Sequence, residues 1–215
     1  IADHFDISYE LEHQISGTSK EDKLEGIRHL IEQCVFSYTR QIEMKGLGHA
    51  ILTGETLIGH EDAFGVILAD DLCLGEPDPV MKQMVDLSNQ HNACIIAIEE
   101  VPMDEVYKYG VIDAQDMGNG VYKVNAMVEK PAAEDAPSNL AIIGRYILTP
   151  EIFDVLRDTP PGQGGELQIT DALTTMAGEG KVLAYKFDGQ RFGCGSVEGF
   201  VNATNYFFDK LYGGS

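Results

Sequence analysis

The 215-residue chain contains no tryptophan, and its 15 lysines and arginines face 35 aspartates and glutamates, a formal charge of −20. So few cations exclude a nucleic-acid or anionic-membrane surface, since both need a basic footprint. A small phosphate ligand stays open, because it takes only a few local cations and oriented N–H groups, and Mg²⁺ is the usual bridge between carboxylates and phosphates. The four cysteines, Cys34, Cys73, Cys94 and Cys194, form no C-x-x-C pair. Three lie in or beside apolar runs, so buried free thiols in a reducing cytoplasm are expected. No run of about 18 apolar residues exists, and no signal-peptide pattern opens the chain. The six histidines lack zinc-ligand spacing. G-x-S-x-G, G-x-x-x-x-G-K-[ST] and G-x-G-x-x-G are all missing, and Cys194 has no evident base beside it, so nucleophilic catalysis has little support. The chain does not begin with Met: "IADHFD" reads as the tail of a preceding part, and the closing "GGS" as a linker scar outside the fold.

What is present is a globular composition, 44% hydrophobic and 23% charged. "SKEDKLEGIRHLIEQC" spaces its apolar residues as a helix does, and "VFSYTRQ" reads as a short β-run. The glycine turn "KGLGH" leads into a helix through Ala50, Leu52 and Leu57. "AFGVILADDLCL" has the pattern of one continuous strand buried on both faces. The helix "DPVMKQMVDLSNQHN", with Val80, Met84, Val85 and Leu87 on one side, and the strand "ACIIAIEEVP" complete a parallel α/β pattern. After residue 105 the rhythm becomes β-rich, with a hairpin predicted around Gly118-Asn119-Gly120 and a further strand in "SNLAIIGRYILT". "PEIFDVLRDT", "LQITDALTTMAGEG" and "SVEGFVNATNYFFDKL" read as helices, with the strand "KVLAYKF" among them. Tyr206, Phe207 and Phe208 suit helix core or a subunit contact.

In open α/β sheets, ligands bind beyond the carboxyl ends of strands. Three features fall at such ends. Arg40-Gln41 with the Gly46–Gly48 turn offers backbone that a flat base can approach, at a helix N-terminus where anions are favoured. A plain connector is the alternative. Asp70-Asp71 follows a strand and suits Mg²⁺, with Asp70 the better ligand and Asp71 a cap or solvent-facing residue; aspartates also simply end strands. In "VEKP", Glu129 can accept hydrogen bonds from two sugar hydroxyls and Lys130 can neutralise a phosphate, although such pairs also decorate surfaces.

The segments "RQ…KGLGHA", "VILADD", "YGVID", "VEKP", "APSNLAIIGRYIL", "TPPGQGGELQITDAL" and "RFGCGSVEGF" occur in this order. Together they closely resemble the bacterial UTP–glucose-1-phosphate uridylyltransferases over nearly the whole chain. The resemblance implies a Rossmann-like α/β fold, a mixed central sheet with helices on both faces and a β-hairpin region over the sugar site, in a single nucleotidyltransferase domain over 1–212. It implies Mg²⁺-dependent formation of UDP-glucose and pyrophosphate from UTP and glucose 1-phosphate without a covalent intermediate. By the same resemblance Gln41 and Gly46 contact uracil, Asp70 holds Mg²⁺ and phosphate, Gly110 and Glu129 contact glucose, and Lys130 is the phosphate cation; Asp70 and Lys130 are the catalytic pair. It further implies a cytoplasmic homodimer or homotetramer that binds small nucleotides and sugar phosphates, with neither nucleic acid nor membrane as partner. Two departures stand out. The family's glycine-rich phosphate loop has no counterpart here, so this polypeptide alone is expected to be inactive or nearly so. Gly193 stands where the family usually carries Asp, which shifts metal binding onto Asp70 unless that carboxylate is dispensable. The alternatives are a dTDP- or ADP-sugar nucleotidyltransferase, or a non-catalytic nucleotide-sugar-binding fragment.

Overall fold

The computed structural model describes residues 5–59 and 61–213. Its contacts divide the chain into two compact units, 1–42 and 43–215, where the sequence reading drew one domain over 1–212. The first unit carries α1 (Tyr9–Ile15) and α2 (Asp22–Gln33), the second as expected from its helical spacing. Arg28 ties them together through Glu12 at 3.0 Å and Glu21 at 3.5 Å. The β-run expected over Val35–Gln41 does not form: the chain there pairs with no strand. Its β-branched and aromatic residues have β-propensity without a partner ladder, and propensity alone does not make a strand.

The second unit begins with α3 (Leu47–Ile58), β1 (Phe64–Ile67), β2 (Asp71–Gly75), α4 (Val80–His91) and β3 (Cys94–Glu100). Next come the hairpin β4 (Gly110–Gly118) and β5 (Val121–Glu129), then β6 (Leu140–Leu148), α5 (Glu151–Asp158) and α6 (Ile169–Gly178). β7 (Val182–Lys186), β8 (Gly189–Gly193) and α7 (Val197–Tyr212) close it. The main sheet runs β1-β6-β3-β7-β5-β4, and β2 pairs β8 in a separate two-stranded sheet. β3 and β7 are parallel, while β6 lies antiparallel between β1 and β3. The first half is therefore not a parallel run of neighbours. β1 and β3 point the same way, but β6, more than 40 residues downstream, is inserted between them, so the sheet is mixed as the resemblance implied.

β3 and β6 are covered on both faces, which explains their largely apolar sequences. Cys94, Ile96 and Ile98 face one core with Ile142, Tyr146 and Leu148, while Ile95 and Ala97 face the other with Ile143 and Ile147. The first core is closed by α3, α5 and α6; Ile169, Ala172, Leu173, Met176 and Ala177 give α6 the stripe of a helix lying on a sheet. The second core is closed by α4 through Val80 and Met84; Val85, placed on that side by the sequence reading, turns to solvent.

"AFGVILADDLCL" is not one buried strand. β1 sits at the sheet edge with alternate residues half-buried and exposed, then the chain leaves the sheet and starts again as β2 in the other. An apolar run cannot by itself report the turn that splits it. The predicted hairpin does form, and Asn119 and Gly120 both take positive φ, 55° and 74°, the twist a two-residue hairpin turn needs. Of the four cysteines only Cys94 is buried; Cys73 and Cys194 are half-buried and Cys34 is exposed.

Candidate active site

Between β1 and β2, residues Leu68–Asp71 cross from one sheet to the other. Arg145 on β6 fixes that crossing. Its Nη1 donates to the Leu68 and Gly144 carbonyls, each at 3.0 Å, and its Nη2 donates to the Asp71 carbonyl. Asp71 is itself buried. Its Oδ2 accepts the Gly144 N–H at 2.9 Å and its Oδ1 accepts from Arg191 Nε at 2.5 Å. Position 144 is glycine because a Cβ there would lie 2.6 Å from both Asp71 Oδ2 and Leu68 Cβ. Arg191 also donates to Glu99 at 3.0 Å and lies over the Tyr109 ring at 5.4 Å. Burial pulls the Arg191 pKa down, but bonding to Tyr109, the charge of Asp71 and the hydrogen bonds to Asp71 and Glu99 outweigh it, and the group is held firmly charged. The cap or solvent-facing role expected of Asp71 is therefore overturned: this acid is occupied by a buried ion pair.

Its neighbour is arranged differently. Asp70 is exposed, its carbonyl accepts the Cys194 N–H at 2.6 Å, and its carboxylate has no hydrogen bond or ion pair among the described residues. Two consecutive acids thus serve two purposes, because successive residues entering a strand point to opposite sides.

The base of the β4–β5 hairpin supplies the second half of the site. Gly110 and Glu129 are direct partners across the ladder, and the Lys130 N–H donates to the Tyr109 carbonyl at 2.9 Å. Thr170, in the first turn of α6, donates through Oγ1 to Glu129 Oε2 at 3.1 Å. A Cβ on Gly110 would sit 2.8 Å from Thr170 Cγ2 and 3.1 Å from Glu129 Oε2, so glycine leaves that carboxylate its room. Lys130 adopts a left-handed backbone with φ 48°, a strained state for lysine of the kind that clusters at ligand sites. Its ammonium lies 3.7 Å from Glu129 Oε1 and stays half-exposed.

These groups meet around one cavity of about 320 Å³, lined by Asp70, Asp71, Gly110, Glu129, Lys130 and Arg191 among others, within the size range of small-molecule sites. Tyr146 closes its inner wall; burial pushes its phenol pKa up, and the Glu129 and Asp71 charges add to that. The hydroxyl therefore stays neutral. A larger cavity, about 880 Å³, opens at the amino ends of β1, β3 and β7. Among the described residues that line it, its one cation, Lys181, is engaged by Glu151 at 3.1 Å and Glu179 at 2.8 Å. The smaller cavity gathers more convergent chemistry.

The glycine turn has a reason inside the chain. Gly46 has φ 87°, and a Cβ there would lie 2.9 Å from both Glu166 Cβ and the Leu167 carbonyl. Leu167 N–H donates to the Lys45 carbonyl at 2.7 Å, and the Gly48 N–H donates to the Leu167 carbonyl at 3.0 Å. That N–H of the helix start is therefore taken by protein, not left for an anion. The turn still borders the cavity, which Leu47 and Glu166 line. Gln41 belongs to the other unit, and every lining residue of the cavity comes from position 47 onward.

Of the residues singled out from sequence, Asp70, Gly110, Glu129 and Lys130 are thus brought together and Gly46 lies beside them. Asp71, Tyr109, Tyr146, Thr170 and Arg191 were missed as site residues. The signals were slight: a second acid in "ADD", a threonine opening a helix in "LQITDAL", and the arginine of "RFGCG". Gly193 pairs with Asp71 across β2 and β8, and a Cβ there would stand 3.1 Å from Arg191 Nη2. Among the described residues no three of His, Cys, Asp or Glu are placed to share a metal, and no helix is long and apolar enough to cross a membrane.

The profile of the nucleotidyl transferase family matches residues 8–209. The chain belongs to the nucleotidyl transferase family. A UTP–glucose-1-phosphate uridylyltransferase of Pseudomonas aeruginosa is 63% identical to this nucleotidyl transferase over 213 residues, which are 99% of this chain and 76% of the relative. The crystal structure of an apo UDP-glucose pyrophosphorylase superposes with a TM-score of 0.91 at 57% identity, covering 98% of this chain and 77% of that one. A UDP-glucose pyrophosphorylase complexed with UDP-glucose superposes with a TM-score of 0.87 at 53% identity, over 97% and 76%. The nucleotidyl transferase fold, with its mixed central sheet, is that of these enzymes.

Proposed function

We propose that this nucleotidyl transferase joins UTP and glucose 1-phosphate into UDP-glucose and pyrophosphate in the cavity between Asp70 and Glu129. The observation that carries the proposal is the convergence of Asp70, Gly110, Glu129 and Lys130 on one cavity, in a chain 63% identical to a UTP–glucose-1-phosphate uridylyltransferase. Glu129, held by Thr170 and given room by Gly110, accepts hydrogen bonds from sugar hydroxyls. The half-exposed Lys130 ammonium meets a phosphate at the cavity mouth. Asp70 fits a divalent cation because its exposed carboxylate is a hard oxygen donor with no partner of its own among the described residues. Asp71 is already taken by Arg191 and Gly144. Mg²⁺ bound there would neutralise phosphate charge.

Gly46 and Gln41 are proposed as the uracil contacts, and Asp70 and Lys130 as the catalytic pair. The phosphate of the sugar attacks the α-phosphorus in line, so the side chains act by alignment and charge neutralisation and need no nucleophile. A cytoplasmic homodimer or homotetramer completes the proposal.

Calorimetric titration with UDP-glucose and Mg²⁺, against UDP-galactose and dTDP-glucose, tests it. Saturable binding that prefers UDP-glucose is expected. Preference for dTDP-glucose would move the assignment to another sugar nucleotidyltransferase. Tight UDP-glucose binding with no pyrophosphate release would make the chain a binding fragment.

A further inference from the structure

Tyr146 lies on β6, paired with Val66 of β1 on one side and Ile96 of β3 on the other. A strand held on both sides is a rigid mount for a side chain. Tyr146 belongs to the core that contains Ile96, Ile142 and Leu148, and it is only 5% exposed. Yet it also lines the cavity that Gly110, Glu129 and Thr170 share. A buried phenol ordinarily finds a hydrogen-bond partner. Tyr185 on β7 does so, donating to Gln83 Oε1 at 2.9 Å. The Tyr146 hydroxyl has no such partner among the described residues. No side-chain oxygen or nitrogen among those residues is sealed away without a hydrogen bond, so this oxygen opens on the cavity.

The acids nearby do not take its hydrogen. Glu129 accepts from Thr170 at 3.1 Å through Oε2, and its Oε1 lies 3.7 Å from Lys130. Asp71 accepts from Gly144 and Arg191. Both charges still act on the phenol and, together with burial, keep it protonated, so it stands ready as a donor. The same charges narrow what it can donate to. Among the described residues the charges acting on the phenol are those of the two carboxylates, Glu129 first. A phosphate oxygen placed there would meet a negative field with no cation to offset it. A neutral hydroxyl fits, because it can accept from the phenol and donate to a carboxylate at once.

We propose that Tyr146 is a sugar-recognition residue: its hydroxyl donates to one hydroxyl of the bound hexose, and that hydroxyl donates in turn to Glu129. This rests on the proposed function, which seats the sugar at Glu129, and it names a residue that sets which sugar is accepted. A sugar lacking that hydroxyl leaves the buried phenol unpaired and is rejected on that account.

Calorimetric titration of the full chain and of Tyr146→Phe with UDP-glucose, with UDP and with each monodeoxy form of UDP-glucose is the test. The variant loses one oxygen and keeps the ring in the core. It is expected to bind UDP-glucose about 5- to 10-fold more weakly and to bind UDP as the parent does. One monodeoxy form is expected to bind parent and variant equally, because the hydroxyl that met the phenol is gone. Urea unfolding without ligand is expected to give the variant a midpoint no lower than the parent's, since no bond within the chain is lost. Equal affinity of parent and variant for UDP-glucose overturns the proposal, and so does a gap that persists across every monodeoxy form. An equal loss for UDP would place the effect on the nucleotide, and a lower urea midpoint would make the hydroxyl part of the fold; either overturns it as well. A parent that binds no UDP-glucose defeats the reading of the cavity and this proposal together, whereas a parent that binds and a variant that matches it defeat the role of Tyr146 alone.

Discussion

Replacing Arg191 with Met removes one half of a buried ion pair and keeps the volume. The side chains of Arg191 and Asp71 are only 11% and 10% exposed, so solvent screens little of the loss. Breaking such a pair from one side leaves an uncompensated buried charge and costs about 3–5 kcal/mol. The lower end applies here, because Gly144 N–H still donates to Asp71. The lost contact to the more exposed Glu99 (38%) adds at most about 0.5 kcal/mol. Arg191→Met is thus expected to destabilise the 43–215 unit by about 3 kcal/mol, which lowers Tm by roughly 6–12 °C in a unit of this size. Urea unfolding followed by circular dichroism reads it as a lower midpoint at unchanged slope. The partner experiment is Arg191→Met with Asp71→Asn, which removes the stranded charge and keeps an acceptor for Gly144; it should recover at least half the loss. A single variant within about 1 kcal/mol of the parent, or a double variant no more stable than the single, refutes the reasoning.

Gly110→Ala pushes a Cβ against Thr170 and Glu129; UDP-glucose affinity measured by calorimetry should fall at least ~10-fold, and Tm should fall as well because packed Thr170 must shift. Thr170→Val keeps shape but removes the bond to Glu129; a loss of about 1 kcal/mol in binding is expected, and none is expected from Thr175→Val on the exposed side of α6. Asp70→Asn should abolish the Mg²⁺ dependence of UDP-glucose binding without lowering Tm, since its carboxylate has no partner to lose. Burial raises the Cys94 thiol above its ordinary 9.0, so the unfolded chain releases this proton first. Stability is therefore full below about pH 9 and falls as pH climbs past it, a slope that Cys94→Ala should flatten in pH-dependent urea melts.

Most of the order of helices and strands was legible because it is written in local periodicity; α1 and β8 were not. α6 shows its stripe at Ile169, Leu173 and Met176, and β3 and β6 show the largely apolar runs of strands covered on both faces. The hairpin was legible because Asn119 and Gly120 tolerate positive φ. That Asp70, Glu129 and Lys130 border one cavity could be anticipated from residue type and strand ends, and the ordered motifs gave the family. By itself the sequence thus determined the helices from α2 onward, the strands β3 to β7 and the family. The tertiary structure decided what depends on pairing across distance. Val35–Gln41 has β-propensity but finds no ladder, and "GVILADDLCL" is cut in two because Arg145, about 75 residues downstream, clamps its crossing between sheets. Which aspartate is buried and which stays available follows from Arg191, 120 residues from Asp71 in the chain. Hydrogen bonds and ion pairs of that span leave no periodic trace, because they fix which distant residues meet and not what any short stretch prefers to be.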